Sequence, residues 1–207
     1  MLTLYGHAAS SNVRKVLWTC HELGLDRLHK DFNGATLLST FPHYRAINPN
    51  GMVPAIDDGG FVLWESNAII RYLATKHRRH DLLPEDPEKR AVIEQWMDWQ
   101  ASDFNNAWHT AFAGLVRKTV PSPSPAQIET SRQAWIVKMN VLEARLTDTG
   151  GHVASPGFTL ADIPIGIAVN RWFMTPIERP QLPQVEAYYD RLSDREGYRL
   201  YGRNGLP

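Results

Sequence analysis

The spacing of apolar residues changes character once along this chain, at the proline-bounded connector Leu82-Leu83-Pro84-Glu85-Asp86-Pro87. Before it, short β-prone runs alternate with segments whose apolar residues recur every three or four positions. After it, only the helical spacing remains. This restricts the chain to an α/β unit followed by an all-α unit, and 207 residues suit two small domains. An N-terminal domain over 1–80 and a helical domain over 88–207 are therefore expected.

Leu2-Thr3-Leu4-Tyr5 reads as a strand that ends at Gly6. Ser10, Ser11 and Asn12 are helix-capping residues; Val13, Val16, Leu17, Cys20 and Leu23 then mark one helical face, closed by Gly24. A second strand is expected over about 28–32 and a short irregular helix over 36–46. Val53–Asp57 and Phe61–Leu63 read as paired strands around Asp58-Gly59-Gly60, a strong hairpin signal. Ile69, Ile70, Tyr72 and Leu73 give the apolar face of a helix over 65–77. The predicted order is βαβ, a helix, ββ, then α.

Beyond the connector, helices are expected over about 88–118, 126–146, 159–173 and 182–192, the first two separated by Pro121-Ser122-Pro123-Ser124-Pro125. Thr159-Leu160-Ala161-Asp162 has the form of a capping box, in which the Thr159 hydroxyl accepts from the Asp162 amide and the Asp162 carboxylate accepts from the Thr159 amide. Phe158 and Ile163 fall at the positions of a hydrophobic staple. This is a folding signal and receives no catalytic role.

Composition excludes several classes. Lys+Arg and Asp+Glu number 22 each, so the net charge is zero and nothing favours a nucleic-acid partner. The basic run Lys76-His77-Arg78-Arg79-His80 suits a helix C-terminus. Cys20 is the single cysteine, which excludes an intrachain disulfide, and its place on an apolar stripe suits a buried, inert thiol. No paired Cys/His spacing suggests a metal site. No run approaches the ~20 apolar residues that span a bilayer, and the N-terminus does not read as a signal peptide. A cytoplasmic protein with neither metal nor membrane partner is expected.

Gly6–Leu17, Asn48–Pro54, Glu65–Ile69 and Thr159–Asp162, in that order along the chain, resemble four segments of the soluble glutathione transferases. Gly6-His7-Ala8-Ala9-Ser10-Ser11-Asn12-Val13-Arg14-Lys15-Val16-Leu17 is similar to the segment carrying the activating serine in the serine-type classes, especially phi and theta. Asn48-Pro49-Asn50-Gly51-Met52-Val53-Pro54 resembles the family's cis-proline loop, and Glu65-Ser66-Asn67-Ala68-Ile69 its glutathione-carboxylate motif. The box at Thr159–Asp162 resembles the one in its helical domain. Bacterial beta-like and nu-like members are also similar. The resemblance implies a thioredoxin-like domain (βαβ-α-ββα) followed by an all-α domain that holds the electrophile pocket, and a homodimer that takes glutathione as co-substrate with a small hydrophobic electrophile.

The chemistry of such a site starts from the thiol. Its pKa lies near 8.5, so only about 3% is thiolate at pH 7, and the thiolate is the nucleophile. Lowering the pKa by about two units requires ~2.7 kcal/mol of preferential anion stabilisation. A hydroxyl donor together with the amides of a helix N-terminus has that sign and size. Ser10 falls where the phi-type and theta-type serine falls, four residues before Arg14. Ser11 is the alternative: the Ser-Ser pair is similar to the start of the zeta motif, although Asn12 stands where that motif has cysteine. Some bacterial members pair a serine or threonine with an asparagine two residues on, which implicates Asn12. Tyr5, inside a strand, reads as core or site wall.

The resemblance further implies that Met52, Val53 and Pro54 present backbone to the cysteinyl part of glutathione, with a cis bond before Pro54. Glu65 meets the γ-glutamyl ammonium, and Ser66 with its helix amides meets the carboxylate. Ser39, Thr40 and His43 are candidates for the glycyl end. Asn105 and Asn106, with Asp98, match positions where beta-like transferases touch glutathione. Trp108 and Phe112, four apart on one helix, are candidates to line the electrophile pocket, beside the more ordinary role of aromatic core. Peroxide or disulfide reduction, a glutathione-dependent isomerase, and a non-catalytic glutathione-binding or assembly module remain alternatives.

Overall fold

The computed structural model describes residues 1–32 and 41–207. Strands β1 (Leu2–Tyr5), β2 (Arg27–Lys30), β3 (Ala55–Asp58) and β4 (Phe61–Trp64) form one sheet in the order β2-β1-β3-β4. β1 runs parallel to β2 and antiparallel to β3, with Leu4 opposite Ile56, and β3 pairs antiparallel with β4. Helix α1 (Ser11–Glu22) connects β1 to β2, the short α2 (Tyr44–Ile47) precedes β3, and α3 (Ser66–Lys76) follows β4.

The expected order is present, with shifted ends. β2 begins at Arg27 rather than 28 and stops at Lys30. β3 begins at Ala55, because Pro54 has no amide to pair in a ladder. Residues 36–40 of the helix expected over 36–46 lie outside the described residues, and of the remainder only Tyr44–Ile47 is helical, as α2. The hairpin turns at Gly59 (φ 65°) and Gly60 (φ 97°), and the Gly60 amide donates to Asp57 Oδ1 at 2.7 Å. Two consecutive positive φ angles are what a tight hairpin requires.

The helical part starts with α4 (Pro87–Trp99), whose N-terminus Asp86 caps by accepting from the Lys89 amide. The chain stays helical to Arg117, but Gln100–Phe104 and Ala113–Arg117 are wide π turns on either side of α5 (Asn105–Phe112). Such turns rotate a helix face without ending the helix, and nothing in the apolar spacing announced them. Then come α6 (Pro125–Thr149), α7 (Asp162–Met174), α8 (Pro183–Leu192) and α9 (Glu196–Tyr201), the last unanticipated. A full capping box between Ser124 and Gln127 starts α6.

α1 and α3 pack together, and α1 also packs against α7 and α9. One core therefore runs through both parts. Trp18 of α1 is fully buried between Phe158 and Tyr198, with ring centroids 5.8 and 5.0 Å away. A second aromatic run, Phe112–Trp108–Trp135–Trp172, has successive centroids 5.4, 6.2 and 5.0 Å apart and fills the helical part. Aromatic pairs of this kind add about 0.5–1.5 kcal/mol each beyond their area burial. Tyr5 belongs to a small separate cluster with Tyr44 and Ala55, as core rather than site.

The box at Thr159–Asp162 differs from expectation in one bond. Asp162 Oδ2 accepts from the Thr159 amide at 2.7 Å, as predicted, but the Thr159 hydroxyl donates to the same oxygen at 3.1 Å. The Asp162 amide goes instead to the Thr159 carbonyl, and α7 begins at Asp162 rather than 159. A turn preceding the helix has taken the bond that the hydroxyl would have accepted.

Candidate functional site

The β1–α1 turn brings the chain to the site. Gly6 has φ 140°, and a Cβ there would meet Val13 Cγ2 at 2.6 Å and Val53 Cβ at 2.9 Å. Only glycine lets the turn come this close to the Val53 loop. The turn opens α1 at Ser10, whose backbone is extended (φ −70°, ψ 124°) and whose hydroxyl makes no capping bond. Among the described residues the hydroxyl is thus uncommitted, at the positive end of a twelve-residue helix where the first amides lack intrahelical partners.

Ser10, Ser11 and Asn12 line a cavity of about 500 Å³ with Met52, Val53 and Phe112. The Val53–Pro54 bond is cis. The Met52 carbonyl accepts from the Tyr44 hydroxyl at 2.8 Å and from Asn48 Nδ2 at 2.7 Å, which holds this loop. Ser66, buried at the start of α3, donates to Asn12 Oδ1 at 3.3 Å, so the carboxylate motif and the α1 turn adjoin. Glu65 precedes it with an exposed side chain and φ 71°, a left-handed conformation costing a non-glycine residue about 1–3 kcal/mol and concentrated at functional sites.

Asn105 and Trp108 line a smaller adjoining cavity of about 100 Å³, together with Ser11 and Asn12. Asn105 Oδ1 accepts from Trp108 Nε1 at 3.0 Å and from Gln100 Nε2 at 2.8 Å. Three expected contacts lie elsewhere. Asn106 faces a groove between α5 and α6, beside Thr110 and Thr130. Asp98 is exposed and pairs with Arg71. His43 is exposed and caps α2, outside both cavities. Ser39 and Thr40 fall outside the described residues.

Several residues that shape the site were given no role from sequence: His7, Arg14 and Lys15 lie within the first resembling segment, and Arg117 and Arg171 lie in no recognised motif. His7, Arg117 and Arg171 line the larger cavity, and Arg14 ties the tail to it by donating to the Leu206 carbonyl at 2.9 Å and to the Pro207 main-chain oxygen at 2.7 Å. Beneath lies Lys15, which donates from Nζ to Gln100 Oε1 at 3.1 Å and to Asn67 Oδ1 at 3.4 Å. A signal was available for two of these: Lys15 sits inside a buried helix turn, and Arg171 interrupts an apolar helix, places where charge is almost never left without purpose.

Burial, reinforced by Arg171 and opposed by Glu65, pushes the Lys15 ammonium down from 10.5 to about 7. Between those values the unfolded chain holds a proton that the folded chain has lost. Stability therefore rises with pH through that window, by up to ~1.4 kcal/mol per pH unit, whereas below it both states are charged and the full burial cost stands. Melting curves of the protein and of Lys15→Met should diverge accordingly, the parent gaining on the variant from about pH 7 to about pH 10. Parallel curves would mean that Lys15 stays hydrated.

Burial likewise pushes the Cys20 thiol up to about 11. It is fully buried and cannot act as a nucleophile. Among the described residues, no group of His, Cys, Asp and Glu is placed to hold a metal ion, and no helix is long and apolar enough to cross a membrane.

Comparison with known proteins bears on this arrangement. A family model for the glutathione S-transferase N-terminal domain matches residues 4–81. The chain is 32% identical over 201 residues to glutathione S-transferase GstB of Escherichia coli (strain K12), covering 96% of each chain. It is 30% identical to glutathione S-transferase F13 of Arabidopsis thaliana, covering 95% of this chain and 93% of the relative. Among solved structures, a theta class glutathione S-transferase from the citrus canker pathogen Xanthomonas axonopodis pv. citri, with glutathione bound, superimposes with a TM-score of 0.91 at 38% identity, over 100% of this chain and 99% of that one.

Proposed function

We propose, from the premise that this chain belongs to the glutathione S-transferase family of enzymes, that it binds glutathione between the Val53 loop and α3 and activates its thiol at Ser10. The observation that carries this reading is the uncommitted Ser10 hydroxyl at the mouth of α1, facing the same cavity as Val53. The thiol loses its proton to solvent. The sulfur anion is held by the Ser10 hydroxyl and the α1 amides, with Ser11 and Asn12 beside it, and attacks an electrophile lying against Phe112.

In this reading residues 1–80 hold glutathione and 88–207 supply the electrophile pocket. Val53 pairs its main chain with the cysteinyl part, in the manner of a short added strand. Ser66 and the first amides of α3 hold the γ-glutamyl carboxylate, and Glu65 holds the ammonium. The same thiolate can reduce a peroxide or a mixed disulfide. A homodimer in the cytosol completes the proposal; exposed Val137 and Val141 on α6 and Phe61 and Val62 on β4 offer apolar surface for it.

Titration calorimetry with glutathione tests the core of the proposal. A dissociation constant in the sub-millimolar to millimolar range is expected, and neither heat nor competition at roughly 10 mM would overturn it. Ser66→Ala separates binding from chemistry. A hydrogen bond to a charged group contributes ~1.5–3 kcal/mol, so the KM for glutathione should rise about 10- to 100-fold while kcat changes little. An unchanged KM would show that Ser66 serves only the helix.

A further inference from the structure

The electrophile side of the cavity carries a charge that the proposed mechanism does not use. Arg171 is only 5% exposed, on a stretch of α7 where every residue from Asp162 to Trp172 is buried. Its guanidinium stacks on Trp108 and Phe112, with Cζ 4.2 and 4.6 Å from the ring centroids. Its Nε has no hydrogen-bond partner among the described residues. Among the described residues its side chain enters no ion pair.

Arg171 lines both the larger and the smaller cavity, and so does Arg117, which is exposed at the mouth and lies over the Phe112 ring at 5.3 Å. No Asp or Glu lines either cavity among the described residues. Taking a cation out of water without an anion is costly. Arg14 and Arg117 also repel its charge, and burial with that repulsion pulls Arg171 down to about 9. A bound anion relieves both costs.

Resting on the transferase reading, we propose that the electrophile site is built for an electrophile with an apolar body and a carboxylate, the body on Phe112 and the carboxylate on Arg171, with Arg117 drawing it in. A guanidinium whose position is set by two aromatic rings offers its fork to a carboxylate without further ordering. For a benzylic halide of this kind, the glutathione sulfur forms a bond to the benzylic carbon as the carbon–halogen bond breaks. The halide leaves with the electron pair, and the thiol proton has already gone to solvent.

The test compares para-(chloromethyl)benzoate with its methyl ester, each with glutathione. In the parent enzyme, kcat/KM for the acid should exceed that for the ester by about tenfold or more, after subtraction of the uncatalysed rates. Arg171→Gln should reduce the acid rate about 10- to 100-fold and change the ester rate less than about threefold. Arg171→Lys should restore part of the acid rate, and exposed Arg117→Gln, which leaves the core alone, should weaken it several-fold.

Unreactive para-toluate should inhibit competitively against the ester and not against glutathione, and less so in Arg171→Gln. Equal rates for acid and ester in the parent would overturn the proposal, as would toluate competing with glutathione, since the arginines would then serve glutathione's own carboxylates. Ester turnover that persists in either case leaves the transferase reading standing. If neither substrate reacts, the transferase reading fails for this chemistry, while toluate binding measured by calorimetry in parent and Arg171→Gln still decides the anion site.

Discussion

Replacing Ser10 by alanine is expected to raise the pKa of the bound glutathione thiol by about one to two units, at ~1.4 kcal/mol per unit. Turnover should fall by about ten- to a hundredfold, each 1.4 kcal/mol being a factor of ten. The helix amides remain in this variant, so part of the stabilisation survives. Ser10 is the better donor of the serine pair because it stands outside the first helical turn, with an extended backbone and no capping bond to give up. Competing groups are remote from the role: Cys20 is buried in the main core, and burial together with Asp57 raises the Tyr5 phenol inside its own cluster. Titrating the ultraviolet absorbance of the thiolate in the complex measures the shift directly. Ser11→Ala should change both quantities much less. The large shift appearing in Ser11→Ala instead would move the assignment by one residue, and its absence from both would leave the work to Asn12 and the amides.

Asp162→Ala should be the most destabilising of the substitutions considered. The carboxylate is fully buried and accepts four bonds: from the Val153 amide at 2.9 Å, the Thr159 amide at 2.7 Å, the Thr159 hydroxyl at 3.1 Å and the Tyr188 hydroxyl at 2.9 Å. It thereby joins the loop before α7, the start of α7 and the middle of α8. Alanine leaves buried donors without acceptors at ~1–3 kcal/mol each, and a total loss of about 3–5 kcal/mol is expected. For a chain of this size each kcal/mol lowers the melting temperature by roughly 2–4 °C, so a fall of about 10 °C is the scale to look for. Asp162→Asn, which keeps the shape and one acceptor, should fall less. A melting temperature within about 2 °C of the parent would show that water replaces the carboxylate.

Local chemistry was enough to announce the elements. The alternation in Leu2–Tyr5, the three-and-four spacing from Val13 to Cys20, the Asp58-Gly59-Gly60 turn and the box at Asp162 each act within a few residues, so each is legible before any tertiary contact forms. The helix openings at Ser10 and Ser66 were legible for the same reason, whereas the roles proposed for them and for Val53 rest on the resemblance to the family. Element ends were less so, because Pro54 and the turn before Asp162 compete with the ladder and the helix for the same amides.

The two π turns were not legible at all. Gln100–Phe104 widens one turn of the long helix, and Gln100 and Asn105 there join Lys15 and Trp108 in one hydrogen-bonded chain. That turn is selected by partners on α1 and α5, not by the spacing of its own residues. Sequence alone thus determined an α/β unit followed by helices, since these follow from patterns read along one stretch of chain, while the three segments proposed to handle glutathione were read from their resemblance to the family. Only the tertiary structure decided that Arg171, far along the chain from Ser10, would lie in the same cavity with no ion pair among the described residues, because the energy of a buried charge depends on which groups folding brings around it.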